Sequence, residues 1–63
     1  MAYYRLYLMN GETQIDRFHE FDTVDDEAAI GRAEMFRSRR AMELWAGARL
    51  VRRWPLLTVV PKD

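Results

Sequence analysis

The side chains best suited to metal chemistry stand around a single histidine. His19 lies close in sequence to Asp16, Glu20 and Asp22, and imidazole and carboxylate groups are common ligands of zinc. One histidine with scattered carboxylates does not supply the three or four converging ligands that a zinc site needs. We therefore expect no metal site, and we interpret His19 as a half-exposed residue of a strand.

Nucleophilic catalysis has equally little support in the sequence. There is no cysteine, and the one serine, Ser38, stands among arginines rather than beside a histidine. The three glycines are isolated, so no phosphate-binding loop is present. The acidic run at 25–27 is explained by a helix start, where the positive end of the helix dipole favours acids. We expect no catalytic residue, no cofactor and no enzymatic activity.

Arginines next to aromatic residues offer a sharper chemical alternative, the binding of nucleic acid. Tyr3, Arg5 and Tyr7 share one face of a strand, where rings stack on bases and guanidinium groups contact phosphates. A pI near 6.6 is lower than such domains usually have. The arginines that would form the anion-binding patch all lie in the second half of the chain: Arg37, Arg39, Arg40, Arg49, Arg52 and Arg53.

The formal net charge of zero hides a polarised chain. Residues 1–34 hold three basic and eight acidic residues, whereas residues 35–63 hold seven basic and two acidic ones. Two explanations stay open. Either the halves neutralise each other in the fold, or the arginines form a surface for nucleic acid or for an acidic protein, which the planar guanidinium suits.

The elements that position these residues must fit into 63 residues, of which 49% are hydrophobic and 32% charged. This length predicts one domain with a small core. The absence of cysteine favours a reducing cytoplasm. No apolar run approaches the roughly 20 residues of a membrane span, so we expect no membrane partner.

Local signals predict two hairpins with a helix between them. Residues 3–9 and 13–21 read as strands joined by Asn10-Gly11, a pair that tolerates the positive φ of a tight turn. A bulge near Asp16 would turn Ile15 and Phe18 inward together. Asp25 is a competent N-cap for a helix over about 24–39. Residues 41–46 and 48–54 flank Gly47 and form the second hairpin.

The fold class that follows is α+β, with ββαββ order and an antiparallel sheet of about four strands. The single helix covers one face of that sheet. We assign residues 1–54 to this domain and 55–63 to an extended tail, which forms either a fifth strand or a dimer arm.

Residues 3–53 resemble a group of short alphaproteobacterial proteins. The resemblance rests mainly on Glu43-Leu44-Trp45-x-Gly47-x-Arg49, together with the strand at 4–8 and the helix start at 25–30. It implies the same ββαββ fold and a bacterial cytoplasmic origin. The resemblance implies no activity, ligand or catalytic residue for this chain.

The sheet face away from the helix is expected to be unusually apolar, with Leu50 packed beneath the helix and Val51 outside it. Such a face favours a protein-interaction module that works as a homodimer. A tail folded back over its own sheet is the monomeric alternative, and nucleic-acid binding is the alternative function. The residues expected at the dimer interface are Tyr3, Tyr7, Trp45, Val51, Trp54 and Leu57.

Overall fold

The computed structural model describes residues 1–11, 14–37 and 39–56. Within them the elements are β1 (Ala2–Asn10), β2 (Gln14–Thr23), α1 (Asp26–Glu34), β3 (Met42–Ala46) and β4 (Arg49–Trp54). The predicted α+β class and the ββαββ order are confirmed. The described helix is too short to cross a membrane.

The four strands form one antiparallel sheet in the order β2-β1-β3-β4. Each hairpin keeps its two strands adjacent, and the connection through α1 carries the chain from β2 across β1 to β3. The two central strands are therefore β1 and β3, which come from different hairpins. The edges of the sheet are β2 and β4.

The core lies between α1 and one face of the sheet. Alternate residues of β1 and β3 point to this face, as the two-residue period of a strand requires. The helix contributes Ala29 and Ala33, both fully buried, and such small side chains let its backbone approach the sheet. The buried cluster consists of Tyr4, Leu6, Leu8, Ala29, Ala33, Met42, Leu44 and Trp54.

The helix has the predicted N-cap, Asp25, but its span Asp26–Glu34 is shorter than the predicted 24–39, mainly because it ends earlier. Asp25 is the N-cap, and its carboxylate accepts a hydrogen bond from the backbone N–H of Ala28 at 2.9 Å. After Glu34 the backbone N–H groups of residues 35–37 bond three residues back, which tightens the last turn. Phe36 leaves the helical stripe, and its ring stacks on His19 with centroids 4.2 Å apart.

Both hairpins turn at the predicted glycines. Gly11 and Gly47 have φ values of 82° and 62°, a region that side chains with a Cβ rarely adopt. Gly11 and Gly47 thus set the two turns by local backbone chemistry, whereas Asn10 ends β1 and does not adopt the positive φ expected of it.

Two bulges decide which side chains face the helix. A bulge lies in β2, at the place where the sequence left one open, since Leu8 pairs with Arg17 and Met9 with Ile15, leaving Asp16 as the extra residue. The bulge does not turn Ile15 and Phe18 inward, since both are about half exposed. They share a face, but it is the one that α1 does not cover.

The second bulge lies in β4 and reverses two expected positions. Trp45 pairs with Leu50, and Leu44 pairs with Arg52, so Val51 is the extra residue. Val51 packs against the core, whereas Leu50 is 44% exposed. The sequence had assigned these two side chains to the opposite faces.

The tail assignment falls largely outside the described residues. Pro55 and Leu56 follow β4 and belong to no strand. Leu57 and the predicted fifth strand or dimer arm lie beyond the residues that the structure describes.

Candidate interaction face of the sheet

The sheet face opposite α1, which we call the open face, brings aromatic and charged side chains together. The strand register places all of them on the same side of the sheet. Its members are Tyr3, Arg5, Tyr7, Met9, Ile15, Phe18, Glu20, Asp22, Glu43, Trp45, Leu50 and Arg53.

Arg5 is the centre of the open face. One of its terminal nitrogens donates to Glu20 at 2.6 Å and to the Tyr3 hydroxyl at 3.2 Å, and the other donates to the Tyr7 hydroxyl at 3.4 Å. Its guanidinium lies over the Phe18 ring, 4.8 Å from the centroid. These contacts fix a long side chain in one orientation, with four neighbours on two strands.

The charges of this cluster stabilise one another. The Tyr3 hydroxyl donates to Glu20, and together with Arg5 it holds the pKa of that carboxyl below its usual value. Hydrogen bonds with Tyr7, Tyr3 and Glu20 raise the pKa of Arg5 above its usual value. The pair therefore stays ionised around neutral pH, so the open face always presents a fixed positive and a fixed negative charge at this place.

A second ion pair lies on the other half of the open face. Glu43 accepts a hydrogen bond from the Trp45 indole Nε1 at 3.0 Å. Arg53 of β4 approaches the same carboxylate, with its Nε 3.5 Å from an oxygen. Glu43 thus orients the Trp45 ring and compensates the charge of Arg53.

A shallow hollow of about 220 Å³ lies on the open face where β1 and β3 meet. It is lined by Tyr3, Arg5, Tyr7, Trp45 and Gly47. Three flat rings and a guanidinium are side chains that contribute large contact areas at protein interfaces. The hollow is open to one side, so it suits the side chains of a facing surface.

The acidic run at 25–27 has a structural role on the covered side of the sheet. Asp26 accepts hydrogen bonds from the Tyr4 hydroxyl at 2.7 Å and from both terminal nitrogens of Arg49, at 2.8 and 3.1 Å. Hydrogen bonds from Arg49 and Tyr4 lower the pKa of Asp26 to about 2. These bonds tie the start of α1 to β1 and β4.

The six arginines of the predicted anion-binding patch do not lie together. Arg40 pairs with Asp16 at the β2 bulge at 2.6 Å, and Arg37 donates to the Arg40 carbonyl oxygen. Arg49 joins Asp26, and Arg52 lies over the Trp54 ring. Arg39 is exposed, and Arg53 alone belongs to the open face.

Instead, residues of the acidic first half of the sequence and of the basic second half lie next to each other in the fold. Arg40 and Arg49, from the basic half, form ion pairs with Asp16 and Asp26, from the acidic half. This geometry supports self-neutralisation as the reason for the polarised sequence.

Of the residues expected at an interface, the structure brings three together. Tyr3, Tyr7 and Trp45 all line the hollow of the open face. Trp54 is only 5% exposed and sits in the core opposite Met42, so its assignment to a free surface was wrong. The same holds for Val51, which packs against the core because of the β4 bulge.

Sequence reasoning missed Phe18, Glu20, Leu50 and Arg53 as members of the open face. The two-residue period places Phe18 and Glu20 on one face of β2, so this signal was available. Leu50 and Arg53 lie three residues apart, and only the bulge between them puts them on one face.

The described residues contain no cluster of three or more histidine, cysteine, aspartate or glutamate side chains that could hold a metal ion. A comparison of the chain with protein-family models, curated proteins and solved structures finds no match. The resemblance to short alphaproteobacterial proteins stays a prediction.

Proposed function

We propose that the protein is a non-enzymatic interaction module, and that two copies associate through their open faces. The observation that carries this proposal is a cluster of large side chains on the open face, in which Tyr3, Phe18 and Leu50 are exposed and Tyr7 and Trp45 are half-buried beside Arg5. Tryptophan, tyrosine and arginine are the residues most enriched at the energetic centres of protein interfaces. A sheet with one helix has a second face that a partner can cover.

The size of the open face is compatible with a dimer. Strands of nine, ten, five and six residues, spaced by about 4.8 Å, give a face of about 500 Å². Two such faces bury about 1,000 Å² in total, which is near the lower limit of specific interfaces. We therefore expect association in the micromolar range, and the added burial would support a core that is small for a 63-residue chain.

The charges of the open face favour a second copy over nucleic acid. Arg5 and Arg53 are its cations, and each already pairs with a carboxylate. Asp22, the register partner of Tyr3, lies on the same face, so its three acids (Glu20, Asp22 and Glu43) outnumber its two arginines. Phosphate groups would meet net negative charge, whereas a second copy brings both signs.

Sedimentation velocity of the full chain from about 1 μM to about 1 mM tests the proposal, since this range spans weak and moderate affinities. We expect a concentration-dependent shift from monomer to dimer. Trp45→Ala should weaken the dimer at least about tenfold, as the loss of a central interface aromatic does.

Met35→Ala is the matched control, because Met35 is 83% exposed at the end of the helix, away from the open face. It should leave the dimer unchanged. A wild-type chain that stays monomeric throughout this range would overturn the proposal and assign the open face to another partner.

A further inference from the structure

The eight open-face side chains in the two rows that span all four strands form a two-by-two pattern. Two rows cross the sheet from β2 to β4, each with one ion pair and one pair of apolar or aromatic residues. The rows are Glu20, Arg5, Trp45, Leu50 and Phe18, Tyr7, Glu43, Arg53. The ion pairs occupy one diagonal of the pattern, and the apolar pairs occupy the other.

This pattern restricts how two copies can face each other. In a two-fold dimer the axis lies in the plane between the sheets. An axis along the strands, or one across them, places each ion pair against an apolar pair of the other copy. Charged groups would then lose water without gaining an opposite charge, which is costly. A diagonal axis that runs through the two apolar pairs places each ion pair against the other ion pair of the partner subunit, and each apolar pair against its own counterpart. The other diagonal, through the two ion pairs, would place each ion pair against its own copy and so oppose like charges.

The axis through the two apolar pairs also brings opposite charges together. Arg5 and Glu43 stand on the central strands, whereas Glu20 and Arg53 stand on the edges. The two-fold rotation therefore brings residues of the central strands opposite residues of the partner's central strands, and edge residues opposite edge residues. Arg5 meets Glu43 of the partner subunit, and Glu20 meets Arg53 of the partner subunit, so all four contacts join opposite charges.

We propose that the chain forms a two-fold dimer in which the two sheets pack face to face with strands crossed near a right angle, its register set by these reciprocal charges. The inference rests on the proposed dimerisation and adds the geometry of the partner. Tyr7 and Trp45 lie next to the diagonal axis and contact their own counterparts. Orthogonal packing of this kind is one of the two common arrangements of stacked sheets.

Two half-swapped variants test this geometry. The first combines Arg5→Glu with Glu20→Arg, and the second combines Glu43→Arg with Arg53→Glu. Each variant keeps opposite charges within its own chain, but opposes like charges across the dimer. We expect each alone to lose at least about a hundredfold in dimer affinity, because four charge contacts become repulsive.

Mixing the two half-swapped variants should restore association, because all four contacts again join opposite signs. Sedimentation velocity of each variant and of the equimolar mixture measures this directly. A swap of the ion pair at the β2 bulge, Asp16→Arg with Arg40→Asp, is the control, since that pair is not a member of the open face. It should leave homodimerisation intact.

Single substitutions at the exposed edge residues provide a second route that leaves Arg5 in place. Glu20→Arg and Arg53→Glu should each weaken self-association and should bind each other when mixed. Half-swapped variants that still homodimerise, or that fail to associate when mixed, would overturn the crossed geometry while the proposed dimer stands. A monomeric wild type would instead remove the dimer itself.

Discussion

The two faces of the sheet use the same strands for different purposes. On the covered face, Leu6 and Leu44 are fully buried under two alanines of the helix. On the open face, Arg5 and Trp45 occupy the neighbouring positions of the same strands and remain partly exposed. One face excludes water within the chain, and the other keeps large side chains oriented by hydrogen bonds at the surface. Stability and recognition can therefore be changed separately.

The two tryptophans give the sharpest test of this separation. Trp54→Ala should destabilise the fold by about 3–5 kcal/mol, the usual cost of removing a buried aromatic side chain, and unfold a domain this small. Trp45→Ala should leave the fold intact, because its ring is oriented at the surface by Glu43. Urea unfolding followed by circular dichroism measures both; equal losses of stability would contradict the division between the faces.

The hydrogen bonds that Asp26, at the start of α1, accepts from Tyr4 and Arg49 should make the free energy of unfolding sensitive to acid. Because the folded pKa of Asp26 is about 2, against an ordinary value of 3.8, its contribution is present above about pH 4 and is lost as pH falls toward 2. Asp26→Asn should therefore reduce the pH dependence of the unfolding free energy in this window.

Urea titrations between about pH 2 and pH 5 check this slope. Glu20 on the open face serves as the comparison, since its pKa is also lowered. Glu20→Gln should weaken the dimer more than it alters the monomer. An Asp26→Asn variant with an unchanged pH profile would show that the Tyr4 and Arg49 contacts do not hold the helix start.

The smallest expected effects come from two glycines, Gly31 in the helix and Gly47 in the second turn. Gly31 lies in the exposed part of the helix with open space around it, so Gly31→Ala should stabilise the fold by about 0.5–1 kcal/mol. Gly47 has open space as well but a φ of 62°, so Gly47→Ala should destabilise it by about 1 kcal/mol. Thermal unfolding of both variants should show opposite signs.

Features set by local chemistry could be predicted from the sequence. Gly11, Gly47 and the N-cap Asp25 depend on backbone conformations that neighbouring residues determine, and the structure confirms each of them, whereas Asn10 ends β1 without a positive φ. The two-residue period of a strand also predicts that Tyr3 and Tyr7 share one face of β1, and the register confirms it.

Features set by distant contacts were not predictable in the same way. The bulge at Val51 adds one residue to β4, which moves Leu50 to the open face and leaves Trp54 in the core. The helix ends early where Phe36 packs on His19 of another element. The position of Arg5 at the centre of a cluster needs two strands in register, which a pattern along one strand does not reveal.

The most direct test of the dimer uses the two indole N–H groups of the unmodified chain as paired probes. Trp45 lies on the open face and Trp54 in the core, so a ¹⁵N-labelled sample reports on both faces in one spectrum. On titration from about 10 μM to about 1 mM, the range of a weak dimer, the Trp45 indole signal should shift or broaden while the Trp54 signal stays in place. A Trp45 signal that is constant across this range would contradict dimerisation through the open face.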